Sequence, residues 1–162
     1  MDKEKIEELL KRYVAPHKKQ SRLVTNEDIK RVVDESIIMH DLCFILRGKC
    51  NGALAIAHQQ IDDQNPLDFF VIRETGEIII NPKIVNHTRH TVDSEEGCLS
   101  FPDNDPIIVQ RWNKIEVEYQ TLGPVDGSQD EIKLVDMSSG FSGRMAKIYQ
   151  HEIDHAQNIY IY

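Results

Sequence analysis

Apolar and polar positions follow two periods along this chain, and the change from one to the other divides it. From Thr25 to Leu46 the apolar residues Ile29, Val32, Val33, Ile37 and Phe44 recur at helical spacing. The pattern predicts a helix, opened by Thr25 with Asp28 three residues on as its capping partner. Met39 and His40 fall on or near the apolar face and read as packing residues. An earlier stretch, Lys3 to Val14, mixes charges with Ile6, Leu9, Leu10 and Tyr13 and reads as a peripheral helix ending before Pro16.

Gly48 to Asn51 breaks the long helix, and GALAIAHQQI leads on into a strand. From Asp68 the period becomes two. DFFVIR, the turn Glu74-Thr75-Gly76-Glu77 and EIIINPKIV predict paired strands, with Asn81-Pro82 ending the main hydrophobic run. EEGCLSFPDNDP is a loop or strand edge of fixed shape, because a glycine and two prolines exclude a helix. IIVQRW, KIEVEYQTL and EIKLVDM read as further strands, with a polar turn across Gly123 to Asp130. Ser138 to Gly143 supplies N-cap residues for a closing helix, Arg144 to about Asn158. Runs of strands followed by one helix indicate the α+β class, and no repeat or linker divides residues 1–162, so one domain is expected.

Composition narrows the function. Of 162 residues 40% are hydrophobic, enough for a sizeable core, and the formal charge of -8 opposes a phosphate-binding surface. No direct nucleic-acid binding is expected. MDKEKIEELLKRYV lacks the apolar centre of a signal peptide, and no stretch is long enough to span a bilayer, so a cytoplasmic location without membrane association is expected. Cys43, Cys50 and Cys98 form no CxxC pair, which argues against a disulfide framework and a cysteine-only zinc site. Cys43 lies in the apolar run DLCFIL and reads as a buried thiol.

The chemistry concentrates in QHEIDH, Gln150 to His155. On a helix the four-residue spacing of His151 and His155 stacks both imidazoles on one face, where they can hold one metal ion. Glu152 is about 100° round the helix, badly placed as a third ligand but able to reach a water on the ion. The competing reading is a helix with two solvated histidines. His87 and His90, three apart, lack a completing carboxylate or cysteine and read as solvated. Gly52 fits either close backbone approach to a ligand or an ordinary turn.

Taken together, GALAIAHQ (Gly52 to Gln59), EGCLS (Glu96 to Ser100) and HEIDH (His151 to His155) resemble, in order and near spacing, the three motifs of peptide deformylases. The likeness runs from about Thr25 to Tyr160. It implies mostly antiparallel sheets packed around the HExxH helix, and one divalent metal held by Cys98, His151 and His155. The ion is usually ferrous iron in that family, with zinc, nickel or cobalt able to use the same ligands. The implied reaction is removal of the formyl group from formyl-methionine of nascent polypeptides, releasing formate. Water at the ion attacks the formyl carbon, with Glu152 as general base and then acid. Gln59 and the Leu99 backbone N–H are the implied oxyanion donors, and Gly52, Ala53, Leu54, Glu96 and Gly97 the implied substrate contacts. Glu96 with Arg111 forms a candidate ion pair behind the EGCLS turn, and Asp154 a supporting carboxylate. Formylated nascent peptides, the ribosome exit region and a monomeric state complete the expectation.

The match also departs from the family. The Gly-rich motif has Leu54 and Ala55 where a second glycine and a leucine are usual, and Ile56 where an alanine is usual. His58 stands at a variable position and reads as exposed. Arg144 replaces an apolar residue and fits either the substrate channel or a solvent-facing position. After His155 the usual Leu-Asn-Gly reads Ala156-Gln157-Asn158, and the sequence ends at Tyr162, as in short forms without a further C-terminal helix, phage-encoded ones among them. Two rivals stand beside this reading: a general HExxH metallopeptidase, and a catalytically weak relative that binds peptides or the ribosome.

Overall fold

The computed structural model describes residue 4 and residues 19–46, 53–101 and 103–162. The expected helix at Lys3 to Val14, Cys50 and Gly52 therefore lie outside the described residues, Glu4 apart. Thr25 and Asp28 form a capping box over a short 3-10 turn, Asn26–Asp28, which runs into helix α1, Ile29–Ile45. Among the described residues seven strands follow: β1 Ala55–Ala57, β2 Phe69–Ile72, β3 Ile78–His87, β4 Thr91–Glu96, β5 Ile107–Trp112, β6 Lys114–Pro124 and β7 Ile132–Ser142. Helix α2, Gly143–Ala156, closes the chain's regular structure.

β1, β2, β3, β6 and β7 form a five-stranded sheet in that order, and β4 and β5 a separate two-stranded sheet. All the pairings within them are antiparallel, so the architecture is α+β. The first strands of the large sheet are buried on both faces, which is why β1 and β2 read as continuous apolar runs rather than alternating ones. Alternate residues go to different cores. Ile56, Phe69, Val71 and Ile80 join Val32, Met39, Leu42 and Cys43 of α1. Ala55, Ala57, Phe70, Ile72 and Ile79 face the other way, towards Ala146, Tyr149 and Ile153 of α2. The period-two geometry of a strand thus seats one helix on each side of the same few residues.

One expectation is corrected, on α1, and three elements are placed more closely. The buried face of α1 is Val32, Ser36, Met39, Leu42 and Cys43. Ile37 and Phe44, assigned to the core face by their spacing, are 61% and 50% exposed. β3 runs through Asn81-Pro82, within the segment EIIINPKIV expected as a strand, on a register shift between Ile80 and Lys83. Asn81 takes a positive φ of 51°, which asparagine tolerates better than most residues. Its side chain accepts from Val24 N–H at 2.8 Å and donates to Val24 O and Gln120 Oε1, fixing the bulge. Ser138 to Phe141 belong to β7 rather than to a helix cap, and Ser142 is the N-cap of α2. Finally, Thr91–Glu96 is a strand, although its polar sequence gave no period-two signal.

Candidate metal centre

α2 presents His151 and His155 one turn apart, their ring centroids 4.7 Å from each other. The helix is held in place by Gln150, whose amide donates to Trp112 O at 2.8 Å and accepts from Trp112 N–H at 2.9 Å. That pair of bonds docks α2 on the end of β5. The neighbouring strand β4 ends at Glu96, and the turn that follows carries Cys98 to the same place. Cys98 Sγ lies 3.5 Å from His155 Nε2, and one ligand atom from each of Cys98, His151 and His155 falls within 4.8 Å of the others.

These three residues fit a metal ion. Bonds of about 2.3 Å to sulfur and about 2.05 Å to nitrogen at a tetrahedral angle separate the two donors by about 3.6 Å, close to the observed sulfur–nitrogen distance. Three donors also leave a fourth tetrahedral position for a water or a substrate oxygen, which a catalytic ion needs.

The groups behind the donors are ordered. His151 Nδ1 donates to Glu96 Oε1 at 2.7 Å, which leaves Nε2 to face the sulfur. Arg111 grips Glu96 with two bonds, 2.9 and 2.8 Å, and donates to Asp154 Oδ2 at 2.7 Å. Both oxygens of Glu96 are thereby engaged inside the protein, so this carboxylate sits behind His151. Burial alone would raise the Glu96 pKa, but the hydrogen bonds from His151 and Arg111 override it and hold the group at about 2. Arg111 is likewise desolvated and yet raised, through Glu96 and Asp154. Burial disfavours a charged His151, while its bonds to Cys98 and Glu96 carry its pKa up; burial drives that of His155 down.

Glu152, next in sequence to His151, is 6% exposed. Burial pushes its carboxyl up to about 7, and its Oε2 has no hydrogen-bond partner among the described residues. A carboxyl poised near neutrality is what a group that both takes and gives a proton requires.

Gln59 lies in a 3-10 turn, His58–Gln60, directly after β1 and 1% exposed. The adjoining Gln60 donates to Ser100 Oγ at 3.2 Å, tying this turn to the one that holds Cys98. Leu99 is partly buried and packs on the α1 side of the sheet. Ala53 is buried, Leu54 and Gly97 are partly so, and Leu54 O accepts from Arg73 N–H at 2.9 Å. Arg144 pairs at 3.2 Å with Glu74 and is 62% exposed in its side chain, the solvent-facing alternative. His87 and His90 are exposed, with His87 stacked on Trp112.

His58 is a correction: it is fully buried, not exposed. Leu67 N–H donates to Nδ1 at 2.9 Å, so Nε2 carries the proton towards Glu35 Oε2. Glu35, His58 and Asp62 also bring three metal-type donors together. Arg31, bonded to both carboxylates, already supplies the cation there, and both ring nitrogens of His58 are taken. Two further residues had no signal in the sequence: Asn158 and Tyr160, which follow α2 and bond to Gln59.

A family profile described as polypeptide deformylase matches residues 17–162. Peptide deformylase of Brachyspira hyodysenteriae is 30% identical over 148 residues, covering 83% of this chain and 70% of that protein. Peptide deformylase 1B, chloroplastic, of Solanum lycopersicum is 30% identical over 138 residues, covering 82% of this chain; the match spans 42% of that relative's length. Among solved structures, the peptide deformylase of Vibrio parahaemolyticus bacteriophage VP16T, in complex with actinonin, superposes with a TM-score of 0.67 at 27% identity, covering 88% of this chain and 91% of that one.

Proposed function

The chain belongs to the polypeptide deformylase family, and from that premise we propose that it removes the N-terminal formyl group from formyl-methionyl nascent polypeptides, releasing formate. The observation that carries this reading is the convergence of a mid-chain thiol with two imidazoles of α2, next to a buried carboxyl near neutrality. Cys98, His151 and His155 would hold a divalent ion, proposed to be ferrous iron with zinc, nickel or cobalt able to take the same donors. When bound, such an ion polarises a carbonyl oxygen and lowers the pKa of water.

The chain's own groups do the rest. Glu152 takes a proton from the attacking water and returns it to the leaving nitrogen, so one carboxyl serves both half-steps. Burial raises its pKa above the ordinary carboxylate value, the direction that helps it hold the proton between the two half-steps. Glu96 holds His151 in one tautomer, and Arg111 holds Glu96. The Gln59 amide and the Leu99 backbone N–H stabilise the developing oxyanion. The segments at Ala53-Leu54 and Gly97 flank an extended peptide in the manner of an added strand, with Gly52 assigned to that edge by family resemblance alone. Nascent chains leaving the ribosome are the natural encounter partners.

The general metallopeptidase reading is weaker, since Cys98, which lies far upstream of HExxH, already completes a donor set with His151 and His155. The test is anaerobic purification, metal analysis and parallel assay on formyl-Met-Ala-Ser and acetyl-Met-Ala-Ser. Formate release with one ion per chain is expected. Preference for the acetylated peptide would overturn the substrate assignment, and a fully active Glu152→Ala protein would overturn the proton carrier.

A further inference from the structure

α2 does not simply stop. Asn158 N–H donates to His155 O and Ile159 N–H to Asp154 O, each at 2.9 Å, with Asn158 in the left-handed region at φ 60°. This is a helix stop that usually takes glycine, and the family resemblance places glycine at this position. The asparagine keeps the backbone turn and adds a side chain. Its Oδ1 accepts from Gln59 Nε2 at 3.1 Å. Two residues on, Tyr160 OH donates to Gln59 Oε1. The Tyr160 ring meets the His155 ring at 4.8 Å and the edge of Phe101 at 5.8 Å. The Gln59 amide is therefore held at its carbonyl end by Tyr160 and at its nitrogen end by Asn158, with Lys19 O also accepting from Nε2 at 3.2 Å.

We propose that Tyr160 is a positioning residue for the oxyanion donor: its phenol fixes the rotation of the Gln59 amide, and Asn158 is the resting acceptor from which an N–H is handed to the reacting carbonyl. A primary amide has two nearly isosteric ends, one donating and one accepting. Only the donating end stabilises an oxyanion. With the phenol proton on Oε1 and Lys19 O, which can only accept, on Nε2, the flipped orientation would turn Oε1 towards a carbonyl and is disfavoured. Because both clamping residues follow directly on the helix that carries His151 and His155, the donor's orientation is tied to the same element as the ligands. This inference rests on the deformylase reading, and the test separates the two.

Tyr160→Phe keeps the ring contacts to His155 and Phe101 and removes only the hydroxyl. On formyl-Met-Ala-Ser it should lower kcat roughly tenfold with KM within about twofold, less than the roughly 10²- to 10³-fold that loss of a donor itself costs. Asn158→Gly suits the left-handed backbone and removes the resting acceptor that competes with the substrate carbonyl, so its kcat should rise above the parent's. Tyr162→Phe, lacking only the hydroxyl that donates to Asp105 O at 2.5 Å, serves as a control with unchanged kinetics. Independently of activity, the side-chain ¹⁵N–¹H₂ resonances of Gln59, assigned with Gln59→Glu, should move in Tyr160→Phe and not in Tyr162→Phe. Unchanged kcat in Tyr160→Phe, or a kcat loss shared equally by Asn158→Gly, would overturn the inference. Should the parent protein release no formate, the deformylase reading fails, and unmoved Gln59 resonances in Tyr160→Phe would then overturn the clamp as well.

Discussion

Replacing Arg111 by methionine tests whether the metal centre and the fold share one buried charge network. The guanidinium belongs to a residue 8% exposed and makes three charge-assisted bonds, two to Glu96 and one to Asp154. The side chains of Arg111 and Glu96 are each 10% exposed, that of Asp154 33%. Removing one partner of a buried ion pair costs about 3–5 kcal/mol, because the other charge stays behind unpaired. The Asp154 arm adds less than about 1 kcal/mol, since that carboxylate can turn to water. Methionine fills part of the vacated volume and recovers roughly 1 kcal/mol. The expected loss is therefore about 3 kcal/mol, a large share of the roughly 5–15 kcal/mol available to a domain.

The assay is urea unfolding of the metal-free protein, followed by the fluorescence of Trp112, the one tryptophan of the chain and the residue on which Gln150 docks α2. Equilibrium dialysis with zinc gives the second readout. Freed from Arg111, Glu96 should hold His151 less firmly, and zinc affinity should fall about 10- to 100-fold. Arg111→Lys, which keeps the charge but not the fork, should fall between. A stability loss below about 1 kcal/mol together with unchanged zinc affinity would refute the reasoning.

Glu152→Gln should retain one ion per chain while formate release drops by about 10²-fold or more, checked by metal analysis beside the kinetic assay. Asp68, pushed up to about 7 by burial, contributes stability that is complete below the ordinary carboxylate range and is lost as pH rises through about 7. Asp68→Asn should therefore gain on the parent with rising pH, by up to about 4 kcal/mol above pH 8; a difference independent of pH between 5 and 9 would contradict the burial effect. Asn81→Ala loses the bonds to Val24 and Gln120 and leaves alanine at a positive φ. It should destabilise by about 2–4 kcal/mol in denaturant titration, with Asn81→Gly less affected because the backbone strain is gone.

The local rules served where the signal is local. The Thr25 capping box, the β2–β3 turn and the register-bearing strands β5 and β6 lie where spacing and turn chemistry put them. Spacing failed on α1, because Ile37 and Phe44 match a helical period as well as Ser36 and Cys43 do. Only the position of the sheet decides which stripe is covered. β4 carried no signal because its residues are polar, and its partner β5 supplies the pairing. His58 was misjudged for the same reason. A lone histidine beside a glutamine says nothing of a glutamate on α1 that will bury it.

What the sequence by itself determined is the set of candidate groups: HExxH on one helix face, a distant cysteine in a glycine turn, and a family likeness strong enough to join them. These follow from residue type and short spacing, which survive without coordinates. What only the tertiary structure decided is the wiring between them. Glu96 to Arg111 to Asp154, Gln150 to Trp112, and Tyr160 and Asn158 on Gln59 are contacts across 15 to 101 positions. Such contacts depend on how the sheets and helices of the described residues meet in space, and no periodicity along the chain encodes that meeting.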